Sequence, residues 1–244
     1  MPRIALISDI HGNIDALEAV LADIGRQEID EIFCLGDIVG YGAAPAACLS
    51  LVRERCAVTL MGNHDEYLAK DPDNFVLSKR IRDPLLLAKA TISPGNMDWL
   101  SRRPLVVERH SFTIVHASLS DPATFTYLFN DQEALFHFHE QKTQVCFYGH
   151  THRPEVILQQ GKEIRWGLLH EGNALLDRSK PCAINVGSVG QPRDDNPKAA
   201  YGIYDTDMGL FTLRRVSYDV DMAVQRIREA GIPEENGLRL LKGE

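Results

Sequence analysis

At 244 residues, with hydrophobic side chains at 44% and charged ones at 25%, the chain can bury a full core, which excludes a disordered or fibrous protein. A formal net charge of −8 excludes nucleic-acid binding through a broad basic surface and leaves phosphate binding at a metal site open. Five cysteines without a C-x-x-C pair exclude a zinc ribbon or a thioredoxin-like motif, and their odd number fits a reducing compartment.

The first apolar run covers only Ile4 to Ile7, too short for a signal peptide, and no later run reaches a membrane span, so the chain reads as soluble and cytoplasmic. The stretch RIALISDIHGN predicts a strand tipped by Asp9 and His11. If both stay in the strand, its alternation turns them to one face, where they share a ligand. The plainer alternative is that Asp9 caps the helix that follows. That helix is marked by Ile14, Leu17, Val20, Leu21 and Ile24 at helical spacing. IDEIFCLGD predicts a buried strand ending at Gly36 and Asp37, residues 45–55 a helix with Pro45 in its first turn, and AVTLMGNHD a short strand. Strand, helix, strand, helix, strand is an α/β pattern.

Residues 66–103 read as helical pieces broken near Pro72, Pro84 and Pro94, a candidate helical cap beside a site. From Pro104 strands follow closely: LVVERHSFTIVHAS as a hairpin, then QVCFYGHTH, EVILQQGKEIRWGLL, CAINVGS and AAYGIYDTDMGLFTLRRV. DVDMAVQRIREAG closes the chain as an amphipathic helix. No repeat or linker divides it, so residues 1–244 are expected to form one domain.

Ligand-type side chains recur at five strand ends: Asp9 and His11; Asp37; Asn63, His64 and Asp65; His116; His150 and His152. The carboxyl edge of an α/β sheet is where segments distant in sequence converge on a ligand. Without His64 and Asp65 the set is two aspartates, one asparagine and four histidines, enough nitrogen and oxygen donors for two metal ions sharing a carboxylate. The absence of thiolate points to manganese, iron or zinc rather than a soft metal. His64 is then free for proton transfer. Each histidine alone is more often structural than ligating; the convergence carries the metal reading. His137 and His139 lie two apart on an expected helix and face different ways, and His110 and His170 fall in expected turns. The glycines of GDIVGYG match neither dinucleotide-binding fingerprint nor P-loop, and read as a tight loop beside the metals.

In this order, SDIHGN, GDIVGYG, GNHD, VHAS and YGHTHRP resemble the signature blocks of the calcineurin-like metallophosphoesterases, and INVGSVGQPRD resembles the tail block of their compact bacterial and archaeal phosphodiesterase-type members. The resemblance implies a four-layer α/β/β/α sandwich with a dinuclear centre at the strand ends. One metal would take Asp9, His11 and His152, the other Asn63, His116 and His150, with Asp37 bridging; manganese is favoured, with iron, zinc or nickel as alternatives. His64 falls at the family's catalytic histidine, acting as general acid while a metal-bridging hydroxide attacks the phosphoryl group. Asn13, Asn63 and Arg193 are candidate substrate contacts, Arg193 being equally readable as a surface residue.

Members resembling serine/threonine protein phosphatases carry Asp-Arg-Gly where this chain has Gly40, Tyr41 and Gly42. A bidentate phosphate clamp is thereby missing, as is the aspartate expected to orient the histidine, so either Asp65 or another group orients His64 or the acid step is weaker. Small phosphodiester or nucleotide substrates are therefore favoured. The alternatives are a phosphomonoesterase or protein phosphatase, and a non-catalytic scaffold on the same fold.

Overall fold

The computed structural model describes residues 2–244. In chain order its elements are β1 (Arg3–Ile7), α1 (Ile14–Ile24), β2 (Glu31–Cys34), α2 (Pro45–Arg55), β3 (Val58–Thr59), α3 (Asn63–Ala69), α4 (Lys79–Thr91), α5 (Pro94–Ser101), β4 (Val106–Glu108) and β5 (Phe112–Val115). There follow α6 (Asp131–Glu140), β6 (Val145–Tyr148), β7 (Glu155–Gln160), β8 (Glu163–Leu168), β9 (Gly172–Leu175), β10 (Cys182–Asn185), β11 (Ala199–Asp205), β12 (Leu210–Val216), α7 (Val220–Glu229) and α8 (Glu234–Lys242). One six-stranded sheet runs β3-β2-β1-β11-β12-β9 and the other β4-β5-β6-β10-β7-β8.

Strand alternation decides which layers touch. Ile4 and Leu6 of β1 point at the other sheet and pack with Phe112, Ile114 and Phe147, while Ala5 and Ile7 point outward at Leu17 and Val20 of α1. In β6, Val145 and Phe147 face the opposing sheet, whereas Cys146 and Tyr148 pack on Ala134 and Phe138 of α6. The result is the expected α/β/β/α sandwich. β1, β2 and β3 run parallel, as do β5, β6 and β10, so both parallel blocks present carboxyl ends that carry the ligand-type residues.

Several sequence expectations shift. β1 stops at Ile7 and β2 at Cys34, so Asp9, His11 and Asp37 sit in loops beyond the strands and not in them. The hairpin β4–β5 and the strands β6 to β8 and β10 to β12 stand where expected, but the short, exposed edge strand β9 was not foreseen. α7 does not close the chain, because α8 follows it; the short run with Gly237 in its middle gives little helix signal.

Residues 66–103 pack through Leu68, Leu85, Ala88, Ile92 and Leu100 into the core shared with α1 and α2. Pro72 and Pro94 begin helical turns as expected, but Pro84 lies inside α4 and does not break it. A proline lacks the N–H that would bond the carbonyl four residues earlier, here that of Arg80. That carbonyl instead accepts from the Asn236 side chain of α8 at 3.0 Å, and the same amide donates to Tyr41 O at 3.0 Å. α8 thus supplies the bond that Pro84 cannot and braces the Gly40–Gly42 loop. Asn236→Ala is expected to lower the unfolding free energy by about 1–3 kcal/mol in urea titration, since one buried and one part-buried carbonyl lose their donor; an unchanged midpoint would contradict this bracing.

Candidate metal centre

The loops after β1, β2, β5, β6 and β10 are joined by main-chain bonds that extend the sheets: Asp9 N donates to Gly36 O at 3.1 Å, His11 N to Asp37 O at 3.0 Å, Gly149 N to His116 O at 2.9 Å, and Gly190 N to Asp9 O at 2.9 Å. Within these loops Asp9, His11, Asp37, His150 and His152 all have φ between 49° and 66°. For residues with a Cβ this left-handed conformation costs energy, and it persists only where the surroundings enforce it. It also explains how Asp9 and His11 converge without strand alternation. Asp9 is not the cap of α1; Asn13 is, its side chain accepting from Ala16 N at 3.1 Å.

The imidazoles are aimed by carbonyls. His11 Nδ1 bonds Val39 O at 3.0 Å, His116 Nδ1 bonds Leu35 O at 2.9 Å, and His152 Nδ1 bonds Gln191 O at 2.6 Å. A carbonyl only accepts, so each Nδ1 carries a proton and the ring, when neutral, offers its Nε2 lone pair to the centre. His11 Nε2 and His152 Nε2 then lie 3.1 Å apart. Two lone pairs at that distance repel unless a proton or cation sits with them.

Asp9 Oδ1 is 3.2 Å from His152 Nε2 and 3.9 Å from His11 Nε2. Asp37 Oδ2 stands 3.6 Å from His11 Nε2 and 3.5 Å from His116 Nε2, between the two proposed ligand sets, while its Oδ1 accepts from His64 N at 2.9 Å. Ligand atoms lie within 4.8 Å of one another in three groups: Asp9, His11 and His152; Asp37, His116 and His150; and His11, Asp37 and His64. The buried atoms Asn63 Oδ1, His116 Nε2 and His150 Nε2 have no hydrogen-bond partner. Buried polar atoms are normally paired, so three unpaired donors of electron density at one place fit a cation. The residues present therefore fit two divalent ions.

Electrostatics point the same way. Burial would raise both aspartates, but His152 holds Asp9, and His116 with His64 holds Asp37, below the usual carboxylate range. Burial pushes His150 down to about 3 and His64 down to about 4, and lowers His11 and His152. His116 is the exception. Burial lowers it, but Asp37 outweighs burial and brings it up to about 9, so a divalent ion there would displace a proton.

His64 is packed between rings, with centroids 4.7 Å from Tyr41, 4.8 Å from His11 and 5.8 Å from Tyr67. Its Nδ1 is buried without a partner and faces Gly40, where a Cβ would overlap it. Asp65 does not orient it. One Asp65 oxygen accepts from Ile38 N and Val39 N and the other from Gly62 N, tying two loops together; burial and Asp37 push its carboxyl up to about 7.

The candidate substrate contacts separate. Asn13 spends its amide nitrogen on Gly190 O at 3.0 Å and Tyr218 Oη at 3.3 Å, so the cap absorbs the whole side chain. Asn63 and Arg193 stay at the centre. Arg193 lies 5.6 Å from the Tyr41 ring, donates to Gln191 Oε1 at 2.9 Å, and keeps Nε buried and unpaired. His137 is buried and accepts from Leu119 N at 3.1 Å, whereas His139 is exposed, the opposed faces expected of them. Sequence reasoning missed Tyr127, whose ring lies on His150 at 3.9 Å, because its neighbours form no motif. It also missed Ser188 and Gln191, which tie the tail block under Asp9: Ser188 Oγ donates to Asp9 O at 2.8 Å and accepts from Gln191 N at 2.8 Å.

A four-layer sandwich that gathers aspartates and imidazoles at the edges of both sheets is a metallophosphoesterase fold. The chain belongs to the calcineurin-like phosphoesterases, whose family model matches residues 2–154. The family uses divalent metals. The chain is similar over 100% of its length, and 99% of the other, to a metallophosphoesterase from Sphaerobacter thermophilus, with TM-score 0.89 and 34% identity. It is 39% identical, over 98% of both chains, to an uncharacterized protein of Methanocaldococcus jannaschii. It is 33% identical, over 47% of this chain and 44% of the other, to the symmetrical bis(5'-nucleosyl)-tetraphosphatase of Glaesserella parasuis, so it matches under half of that enzyme.

Gly40 has φ +93° and no room for a Cβ. Gly40→Ala is expected to lower stability by about 1–3 kcal/mol through backbone strain and to displace the His64 ring, read by denaturant unfolding and by the His64 imidazole NMR signals. Wild-type stability with unmoved signals would contradict the tight Gly40–His64 approach.

Proposed function

We propose that the chain is a dinuclear metal-dependent phosphoesterase acting on phosphodiester or nucleotide substrates. The single observation that carries this reading is the set of buried, unpaired atoms Asn63 Oδ1, His116 Nε2 and His150 Nε2 opposite the facing Nε2 atoms of His11 and His152. Asp9, His11 and His152 would hold one ion and Asn63, His116 and His150 the other, with Asp37 shared; manganese is favoured, and iron, zinc or nickel suits the same donors. When bound, such a pair supplies Lewis acidity toward the phosphoryl oxygens and acidifies the attacking water.

The chain's own side chains do the rest. Arg193, through its unpaired Nε, binds a phosphoryl oxygen and offsets its charge. Asn63 adds an amide contact to the same group. His64 donates a proton to the departing oxygen. Burial holds its acid form scarce near neutral pH, and the negative phosphoryl group bound beside it raises the affinity for that proton. No side chain at Gly40 offers the ring a carboxylate, which favours diesters and anhydrides with moderately good leaving groups over protein phosphomonoesters. Similarity to an enzyme named for cleaving bis(5'-nucleosyl) tetraphosphates supports nucleotide substrates. Retention of every ligand position and of His64 speaks against a non-catalytic scaffold.

We treat residues 1–244 as one domain in which 66–103 borders the site through Tyr67, beside His64. No helix among the described residues is long and apolar enough to cross a membrane. All five cysteines are free thiols, which fits the cytoplasm.

Chelation is expected to abolish hydrolysis of aryl phosphodiesters and added manganese to restore it, with diester turnover exceeding monoester turnover. A correctly folded, metal-loaded chain that hydrolyses no phosphate ester would overturn the reading, and a preference for monoesters would move it to a phosphomonoesterase. His64→Ala is expected to reduce kcat by about 10²–10⁴-fold for esters with alkoxide leaving groups and far less for nitrophenolate. Equal losses for both leaving groups would remove His64 from the role of proton donor.

A further inference from the structure

The loop between the 3₁₀ turn at Pro122–Thr124 and α6 carries three aromatic rings past the metal centre. Phe125 and Leu128 are buried and anchor it, Phe125 meeting His116 edge-on at 5.9 Å. Tyr127 lies against His150, with ring centres 3.9 Å apart and planes 28° from parallel. Phe129 in turn lies on Tyr127, 4.8 Å away and 11° from parallel. His150, Tyr127 and Phe129 therefore make one continuous stack that begins on a proposed ligand and ends in solvent.

The outer end is exposed yet fixed. Phe129 is 64% exposed and Tyr127 38%. Phe129 N donates to Glu133 Oε2 at 2.8 Å, and Asn130 caps α6 by accepting from Glu133 N at 3.1 Å. A rigid ring that packs on one face and shows water the other contributes little to the core, and it is pre-organised to receive a flat apolar group. Stacked rings next to a phosphate-binding centre are how proteins hold nucleobases.

We propose that Phe129, backed by Tyr127, is the stacking platform for the nucleobase or aryl group of an ester whose phosphoryl group sits at the metal centre. This rests on the phosphoesterase reading above and adds the side chains that recognise the substrate's ring. Phe129 has no hydrogen-bonding atom, so the platform distinguishes a substrate with a ring from one without, and it is tolerant of which base the ring is. The chain's net charge of −8 fits a single small nucleotide better than a polymer.

The test compares adenosine 5'-monophosphate with ribose 5-phosphate, which carries an anomeric hydroxyl where the nucleotide carries its base, by calorimetric binding to the full-length, manganese-loaded chain. Wild type is expected to bind the nucleotide more tightly, with guanine and cytosine nucleotides close behind. Phe129→Ala is expected to weaken nucleotide binding roughly 5- to 100-fold more than ribose 5-phosphate binding. Phe129→Trp should restore it. Phe129 is the residue to vary, because Tyr127 rests on His150 and its loss would disturb that ligand directly. If both compounds bind wild type equally, or Phe129→Ala weakens both by one factor, the platform is wrong while the metal centre stands. If neither compound binds, the phosphate-binding reading fails and the platform fails with it.

Discussion

Each of the three imidazoles His11, His116 and His152 is held by its Nδ1 on a main-chain carbonyl, and everything else about the centre depends on that clamp. A ring so held cannot flip and keeps a proton on the far side, so it presents Nε2 inward, as a lone pair for His11 and His152 and, for His116, once the proton favoured by Asp37 is displaced. The three carbonyls come from Val39, Leu35 and Gln191, which lie in the loop after β2, at the end of β2, and in the tail block. The aim of each ring thus depends on long-range assembly. The His116–Leu35 clamp crosses from one sheet to the other, whereas the His11 and His152 clamps each join neighbouring loops of one sheet, so packing of the two sheets aims His116 in particular.

Holding the ligands this way is costly. Five of the seven proposed ligands adopt left-handed backbone, at about 1–3 kcal/mol each by general experience. Buried imidazoles and carboxylates add desolvation, partly offset by the attraction of Asp37 for His116 and of Asp9 for His152. A folded chain stores this cost only where something repays it, and a pair of divalent ions would do so by giving every inward lone pair a partner. Bracing from outside is visible too: Asn236 grips the carbonyl of Tyr41 next to Gly40, and Ser188 grips that of Asp9.

Much of this was legible in the sequence. The helical periodicity of α1 was strong, Pro45 marked the start of α2, and repeated Asp, Asn and His at strand ends marked the centre. What was not legible has physical causes. Strand alternation was the wrong reason for the pairing of Asp9 with His11, because the left-handed loop that aims them leaves no periodic trace. β9 is short, exposed and paired only through β12, so no local signal marks it. Pro84 looked like a break because its lost hydrogen bond is replaced by Asn236, a residue far along the chain. Asp65 was one candidate to orient His64, yet on a helix start neighbouring side chains diverge, and its carboxylate turns to the loop after Asp37. Tyr127 and Phe129 belong to no motif, and only the folded loop brings their rings to His150.

The most direct measurement is anomalous diffraction from crystals of the chain grown with manganese. The clamped centre predicts two peaks roughly 3.5–4 Å apart, one against Asp9, His11 and His152, the other against Asn63, His116 and His150, with Asp37 between them. No peak in that cage, or imidazoles rotated off their carbonyls with Nε2 turned away from the ions, would contradict it.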